Sequence, residues 1–118
     1  MGTERIAQRI LWYGADDWVA LHALFGEAKK AVPEPRDAFR EEVVAVLDYL
    51  LTRELAEVGE LAEAGFVPWK GAVAEVIAKV VARCDETGWR LGGFDELWLK
   101  NTPNGMRMAD LTTSPTKE

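Results

Sequence analysis

The chain has 118 residues, of which 48% are hydrophobic and 29% are charged, a balance that indicates a folded globular protein and excludes a disordered chain. Its net charge of −6 argues against nonspecific binding to DNA or RNA, because surfaces that bind phosphate backbones are usually basic. The longest apolar runs are much shorter than the roughly 20 residues that span a bilayer, so neither a membrane-spanning helix nor a membrane partner is expected.

The amino-terminal residues and the cysteine content bear on location. Met1–Arg5 contains an acid and lacks the basic and apolar regions of a secretory signal. Cys84 is the only cysteine and cannot form an internal disulfide, which suits a reducing compartment. The sequence therefore predicts a cytoplasmic protein.

The first two helices are predicted from apolar residues spaced three or four positions apart. The first stripe comprises Ile6, Ile10 and Tyr13. The second stripe comprises Leu21, Leu24, Phe25 and Ala28. We expect the first helix to end at Gly14, and we expect Asp16 or Asp17 to cap the start of the second helix through its carboxylate.

A third helix and a following hairpin form the central stretch of the chain. The stripe of this helix comprises Phe39, Val43, Val46, Leu47, Leu50 and Leu51. Asp37 is expected to cap the helix, which should run to about Arg53. Beyond it, Ala56–Leu61 and Phe66–Trp69 are predicted as two strands, and Gly65 can adopt the positive φ that their tight connection needs.

The remaining elements follow the hairpin. A fourth helix is predicted over 72–87 and should stop at Gly88, because apolar residues again recur every three or four positions. A turn is expected at Gly92-Gly93, and the segment 94–99 fits either a helical turn or a strand. Thr102-Pro103 is a good helix start, with the hydroxyl as cap and proline in the first turn, and predicts a short helix over 106–111.

Together these elements predict an α+β, mainly helical fold with four principal helices and one two-stranded hairpin at about 56–69. The order of helices followed by a hairpin is winged-helix-like, a similarity of element order alone. We expect a single globular domain over residues 1–111 and a flexible tail over 112–118.

The negative charge is concentrated in one stretch. Residues 37–63 contain eight acids and two arginines, so this stretch accounts for the entire net charge of −6. Such a surface is either a solvated face that keeps the protein soluble or a docking face for a basic protein partner. The candidate partner-binding residues are Glu41, Glu42, Asp48, Glu57 and Glu60.

Residues capable of catalysis are few and scattered. His22 is the only histidine, and Asp16 and Asp17 precede it by spacings that do not share a helical face. Cys84 continues an apolar stripe and should point inward as an inert thiol. The adjacent acids Asp95 and Glu96 are interpreted as surface charges. The sequence therefore predicts no catalytic residue, cofactor or metal ligand.

Five tryptophans in 118 residues are the most unusual feature of the composition. Each lies at the end of a predicted element, where an indole commonly seals a small core and bonds its N–H to a nearby acceptor. Alternatively, Trp12, Trp18 and Trp98 line a groove for a ligand or a partner side chain, since aromatic residues are favoured at recognition sites.

Three motifs together resemble those of a group of small uncharacterised bacterial proteins. They are Trp12-Tyr13-Gly14-Ala15-Asp16-Asp17-Trp18-Val19, Gly65-Phe66-Val67-Pro68-Trp69 and Leu97-Trp98-Leu99-Lys100-Asn101-Thr102-Pro103-Asn104-Gly105. The similarity covers most of residues 9–110. The group has no assigned activity, so the resemblance implies no site residues.

Three functions are compatible with these observations. The leading hypothesis is a non-enzymatic cytoplasmic protein-binding or regulatory protein, of the immunity type for example, whose acidic face meets a basic protein. The first alternative is a winged-helix-like DNA-binding regulator, although the helix before the hairpin is the acidic one. The second alternative is a small-molecule-binding protein with a tryptophan-lined groove. The oligomeric state is left open.

Overall fold

The structure, a computed structural model, describes residues 2–32, 36–90 and 96–110. These residues form, in order, α1 (Gly2–Tyr13), β1 (Val19–Ala20), α2 (Leu21–Ala31), α3 (Arg36–Thr52), β2 (Ala56–Ala62), β3 (Gly65–Pro68), α4 (Val73–Thr87), β4 (Trp98–Asn101) and α5 (Pro103–Asp110). The predicted α+β, mainly helical class is confirmed. No helix in the described ranges is both long enough and apolar enough to cross a bilayer. The predicted Gly92-Gly93 turn and the tail 112–118 lie outside these ranges.

The helices predicted from apolar periodicity are present with nearly the predicted bounds. α1 ends before Gly14, whose N–H donates to the Ile10 carbonyl oxygen at 3.0 Å. α4 ends before Gly88, and α3 covers the predicted acidic helix. Asp37, predicted as the cap of α3, lies inside its first turn. Local sequence patterns were therefore sufficient to place the helices along the chain.

The predicted cap of α2 is wrong. α2 begins at Leu21, after the two-residue strand β1, and neither Asp16 nor Asp17 caps it. The Leu21 N–H donates instead to the Leu97 carbonyl oxygen at 2.8 Å, and the His22 N–H donates to Glu96 Oε2 at 3.3 Å. The segment that leads into β4 supplies the acceptors that a local cap would otherwise provide.

The hairpin belongs to a larger sheet than was predicted. β2 and β3 pair as expected, with Ala62 opposite Gly65 and a φ of 117° at Gly65. However, the four strands form one antiparallel sheet in the order β1-β4-β2-β3. The prediction of a two-stranded hairpin alone is thus corrected, and the ambiguous segment 94–99 is resolved at its end, where Trp98 and Leu99 lie in β4.

The two faces of the sheet differ in character. On the inner face, Val19, Leu99 and Val58 occupy one row across three strands and are buried in the same core as the apolar stripes of the helices. Side chains alternate along each strand, so a second set faces the opposite way. This outer face comprises Ala20, Glu57, Gly59, Leu61, Phe66, Pro68, Trp98 and Lys100.

The start of α5 is fixed by a compact set of hydrogen bonds. The Thr102 hydroxyl donates to the Glu54 carbonyl oxygen at 2.6 Å and accepts from the Gly105 N–H at 3.1 Å. The Thr102 N–H donates to the Leu55 carbonyl oxygen at 3.1 Å. The predicted role of Thr102 as a helix cap is confirmed, and the residue also holds α5 against the turn between α3 and β2.

We predict that Gly105→Ala destabilises the protein by about 1–3 kcal/mol, the usual cost of forcing a methyl group into a packed site. A Cβ at position 105 would overlap the carbonyl oxygen of Leu55. The matched control is Gly26→Ala in α2, where a Cβ meets no atom within 4 Å, and helix propensity should add up to about 1 kcal/mol of stability. Urea unfolding measures both variants, and equal effects would contradict the packing described.

Candidate functional site

The five candidate acids do not share one surface. Glu41 and Asp48 are exposed on the same side of α3, together with Asp37. Glu42 is half-buried and accepts a hydrogen bond from the Thr3 hydroxyl at 2.6 Å, which links α3 to α1. The acids of α3 that face solvent are therefore Asp37, Glu41 and Asp48, and we call this set the acidic stripe.

The two remaining acids lie on opposite faces of β2. Glu57 stands opposite Lys100 in the sheet register, but the Lys100 ammonium lies 6.0 Å from the centroid of the Phe66 ring. Glu60 accepts hydrogen bonds from Trp69 Nε1 at 3.0 Å and from Arg83 at 3.1 Å. These two hydrogen bonds hold the pKa of Glu60 below its usual value, since both stabilise the ionised form.

The three tryptophans of the proposed groove are only partly brought together. Trp98 lies on the outer face beside Gly59. The Trp18 ring lies 6.1 Å from the Phe66 ring, although Trp18 precedes β1 and Phe66 belongs to β3, at opposite edges of the sheet. Trp12 lies in α1, where its ring contacts Tyr13 at 6.0 Å. Within the described ranges, these three indoles make no ring contact with one another.

The other two tryptophans seal the core, as sequence reasoning anticipated for indoles at element ends. Trp89 packs on Phe25 and Phe39 and donates its N–H to Asp85 at 2.9 Å. Trp69 is half-buried against the core, and its N–H donates to Glu60. The same carboxylate accepts from Arg83 of α4, so Glu60 links Trp69 and the hairpin to this helix. Each indole N–H donates a hydrogen bond to a carboxylate, and this bond offsets the loss of water when the indole is partly buried.

A groove of about 210 Å³ opens beside Trp69, between the end of α3, the start of β2 and the start of α4. Its wall combines apolar residues such as Leu51 and Val73 with Glu54 and Thr102. Sequence reasoning missed this groove, because it assigned Trp69 to the core and sought a groove at the other indoles. No local pattern marks it, since its walls come from α3, β2, α4 and the residue before α5, which are spread along the sequence.

His22 has a carboxylate partner that the sequence did not reveal. Its Nδ1 contacts Glu96 Oε1, and the Glu96 side chain is 4% exposed whereas the His22 side chain is 60% exposed. The interpretation of Glu96 as a surface charge is thus wrong. The pair lies at the start of α2. Its members are 74 positions apart in the sequence, which explains why spacing rules could not find it.

The described chain holds little else with catalytic potential. Cys84 is buried, and burial raises the pKa of its thiol to about 11, so the thiolate that would act as nucleophile is scarce near neutral pH. No group of three or more histidine, cysteine, aspartate or glutamate side chains in the described part of the chain could hold a metal ion. Glu96 can orient the His22 imidazole. Among the described residues, however, no hydroxyl or thiol side chain forms a hydrogen bond with either member of the pair.

Comparison with known proteins finds no matching family model, curated protein or solved structure. The resemblance of the three motifs to a group of small bacterial proteins stays a prediction.

We predict that the stability difference between the wild type and Glu60→Gln depends on pH. The pKa of Glu60 in the folded state is lowered from 4.5. Above pH 4.5 its carboxylate therefore makes its full contribution to the free energy of unfolding, and this contribution is lost as the pH falls through the lowered pKa. The free energy of unfolding of the wild type should exceed that of the variant most near neutral pH. This difference should become smaller as the pH falls. Urea unfolding between about pH 7 and pH 3 measures this difference.

The control for the loss of one negative charge is Glu63→Gln, in the exposed loop of the hairpin. A difference between wild type and Glu60→Gln that stays constant over the whole pH range would show that the Trp69 and Arg83 hydrogen bonds do not favour the ionised form.

Proposed function

We propose that the chain is a non-enzymatic cytoplasmic protein that binds and regulates a basic protein partner, as immunity-type proteins do, and that the acidic stripe contacts this partner. The observation that carries the proposal is the arrangement of Asp37, Glu41 and Asp48. Their spacings of four and seven residues place them within one narrow sector of α3. All three side chains are exposed.

The charges of the acidic stripe are not neutralised within the described chain. Asp37, Glu41 and Asp48 form no ion pair with any residue that the structure describes, whereas Glu27 and Glu60 do. The opposite side of α3 is buried, so the helix presents a rigid row of carboxylates. Such a row increases the rate of encounter with a positively charged surface and discriminates against acidic partners.

The proposed absence of enzymatic activity is supported by the roles of the reactive side chains. Cys84 is a buried core residue with a raised pKa, and Glu96 is occupied at the start of α2. His22 is thereby part of a structural contact between α2 and the segment before β4.

The proposal predicts that Glu41→Lys with Asp48→Lys abolishes capture of a salt-sensitive partner from extract of the native cells. The control variant, Glu4→Lys with Glu86→Lys, changes the net charge equally at exposed positions of α1 and α4 and should retain the partner. Capture should fall when salt is raised to about 1 M, where charges are screened within about 3 Å. Failure to recover any salt-sensitive partner, or equal loss in both variants, would contradict the proposal.

A winged-helix-like DNA-binding regulator is the second candidate, favoured by the direct succession of α3 and the β2–β3 hairpin. The acidic stripe argues against this candidate, because a duplex approaching α3 would meet three carboxylates that form no ion pair with a described residue. Binding of mixed-sequence duplex DNA tighter than about 1 µM at physiological salt, measured by fluorescence polarisation, would favour this candidate over the first. Within the described residues, a small-molecule-binding role would use the groove beside Trp69, which Trp12, Trp18 and Trp98 do not line.

A further inference from the structure

The outer face of the sheet carries an aromatic surface that the proposed function does not use. Trp18 is 37% exposed and Leu61 is 43% exposed, and Phe66 and Trp98 are half-buried beside them. The inner face is already covered by the helices. Contiguous exposed aromatic and aliphatic side chains on a small protein usually mark an interaction surface.

The aromatic side chains on this face contact their neighbours within the same chain. The Trp18 ring reaches the Phe66 ring, and a Cβ at Gly65 would lie 3.5 Å from the indole. Gly59, in the middle of the face, is buried, and the backbone of β3 at Val67 would overlap a Cβ at this position. Rings held by one another lose little conformational freedom when a partner covers them, which lowers the cost of association.

The charges of the outer face point to one kind of partner. Its strand residues include one acid, Glu57, and one base, Lys100, which stand opposite each other in register. These two residues form no ion pair with each other, and the Lys100 ammonium lies over the Phe66 ring. An acidic or a basic partner would satisfy only one of these two charges. A second copy of the same face, turned by a twofold axis, would satisfy both.

We propose that the outer face of the sheet is a self-association surface, on which two copies of the chain pack face to face about a twofold axis. In this arrangement Lys100 of each copy meets Glu57 of the other, and the Trp18 and Phe66 rings fill the centre. The acidic stripe lies on α3, a helix of the inner side, so the proposal goes beyond the proposed function and does not depend on it.

The alternative route to a dimer, pairing at a sheet edge, is poorly supported by the strands that form the edges. β1 has two residues, and β3 has four and ends with Pro68, which lacks the N–H that an added strand would need.

Sedimentation velocity between about 1 µM and 500 µM, which covers weak and transient interfaces, tests the proposal. The wild type should shift from monomer to dimer with concentration. Trp18→Ala and Leu61→Glu should each weaken the dimer at least about tenfold, the usual effect at the centre of an interface. Circular dichroism establishes that each variant is folded. Leu61 is already exposed, so Leu61→Glu should fold and test the surface even if Trp18→Ala does not fold.

Charge exchange makes the test specific to the twofold arrangement. Lys100→Glu and Glu57→Lys should each weaken self-association, because each places like charges together twice. An equimolar mixture of the two variants should form a heterodimer at least about tenfold tighter than either homodimer, since both contacts again join opposite charges. Glu86→Lys on α4 is the control and should dimerise like the wild type. A wild type that stays monomeric throughout, or a dimer indifferent to these changes, would overturn the proposal.

Discussion

A buried hydrogen bond from the Asn101 side chain to the Leu11 carbonyl oxygen, 2.8 Å long, is the constraint on which the rest of the structure depends. It joins the last residue of β4 to the last turn of α1, and the two segments lie so close that a Cβ at Gly14 would be 2.5 Å from Asn101 Oδ1. The next residue, Thr102, forms hydrogen bonds with the turn between α3 and β2. Asn101 and Thr102 therefore connect the end of β4 to α1 and to this turn. A buried acceptor left unpaired here would cost free energy, so this hydrogen bond favours the native arrangement of α1 and β4.

The position of β4 determines both surfaces of the sheet. β4 lies between β1 and β2, and its alternation directs Leu99 into the core and Trp98 and Lys100 to the outer face. The residues just before β4 provide the acceptors for the start of α2. The helices, in turn, cover only the inner face, so the acidic stripe of α3 and the aromatic outer face are separate surfaces. The proposed partner surface and the proposed self-association surface therefore lie on different parts of the molecule.

The parts of this fold that the sequence predicts are those encoded by neighbouring residues. Apolar stripes located the helices, and Gly65 marked the hairpin, because both signals act within a few residues. β1 is two residues long and β4 is four, too short for alternation to show, and their pairing joins residues about 80 positions apart. The partner of His22 and the division of the acids between faces likewise depend on tertiary contacts. Composition indicated an acidic surface, but only the structure separates Glu60, which pairs with Arg83, from the acidic stripe, which forms no ion pair with a described residue.

The unfolding free energy of Asn101→Ala, measured by urea denaturation at neutral pH, tests the central role of this hydrogen bond most directly. The variant leaves the buried Leu11 carbonyl without its partner, so a loss of about 1–3 kcal/mol is expected, with additional loss from the cavity. Asn104→Ala, three residues away and exposed, is the matched control and should change stability by less than about 0.5 kcal/mol. If Asn101→Ala were as stable as that control, the contact between α1 and β4 would not be the constraint that organises the fold.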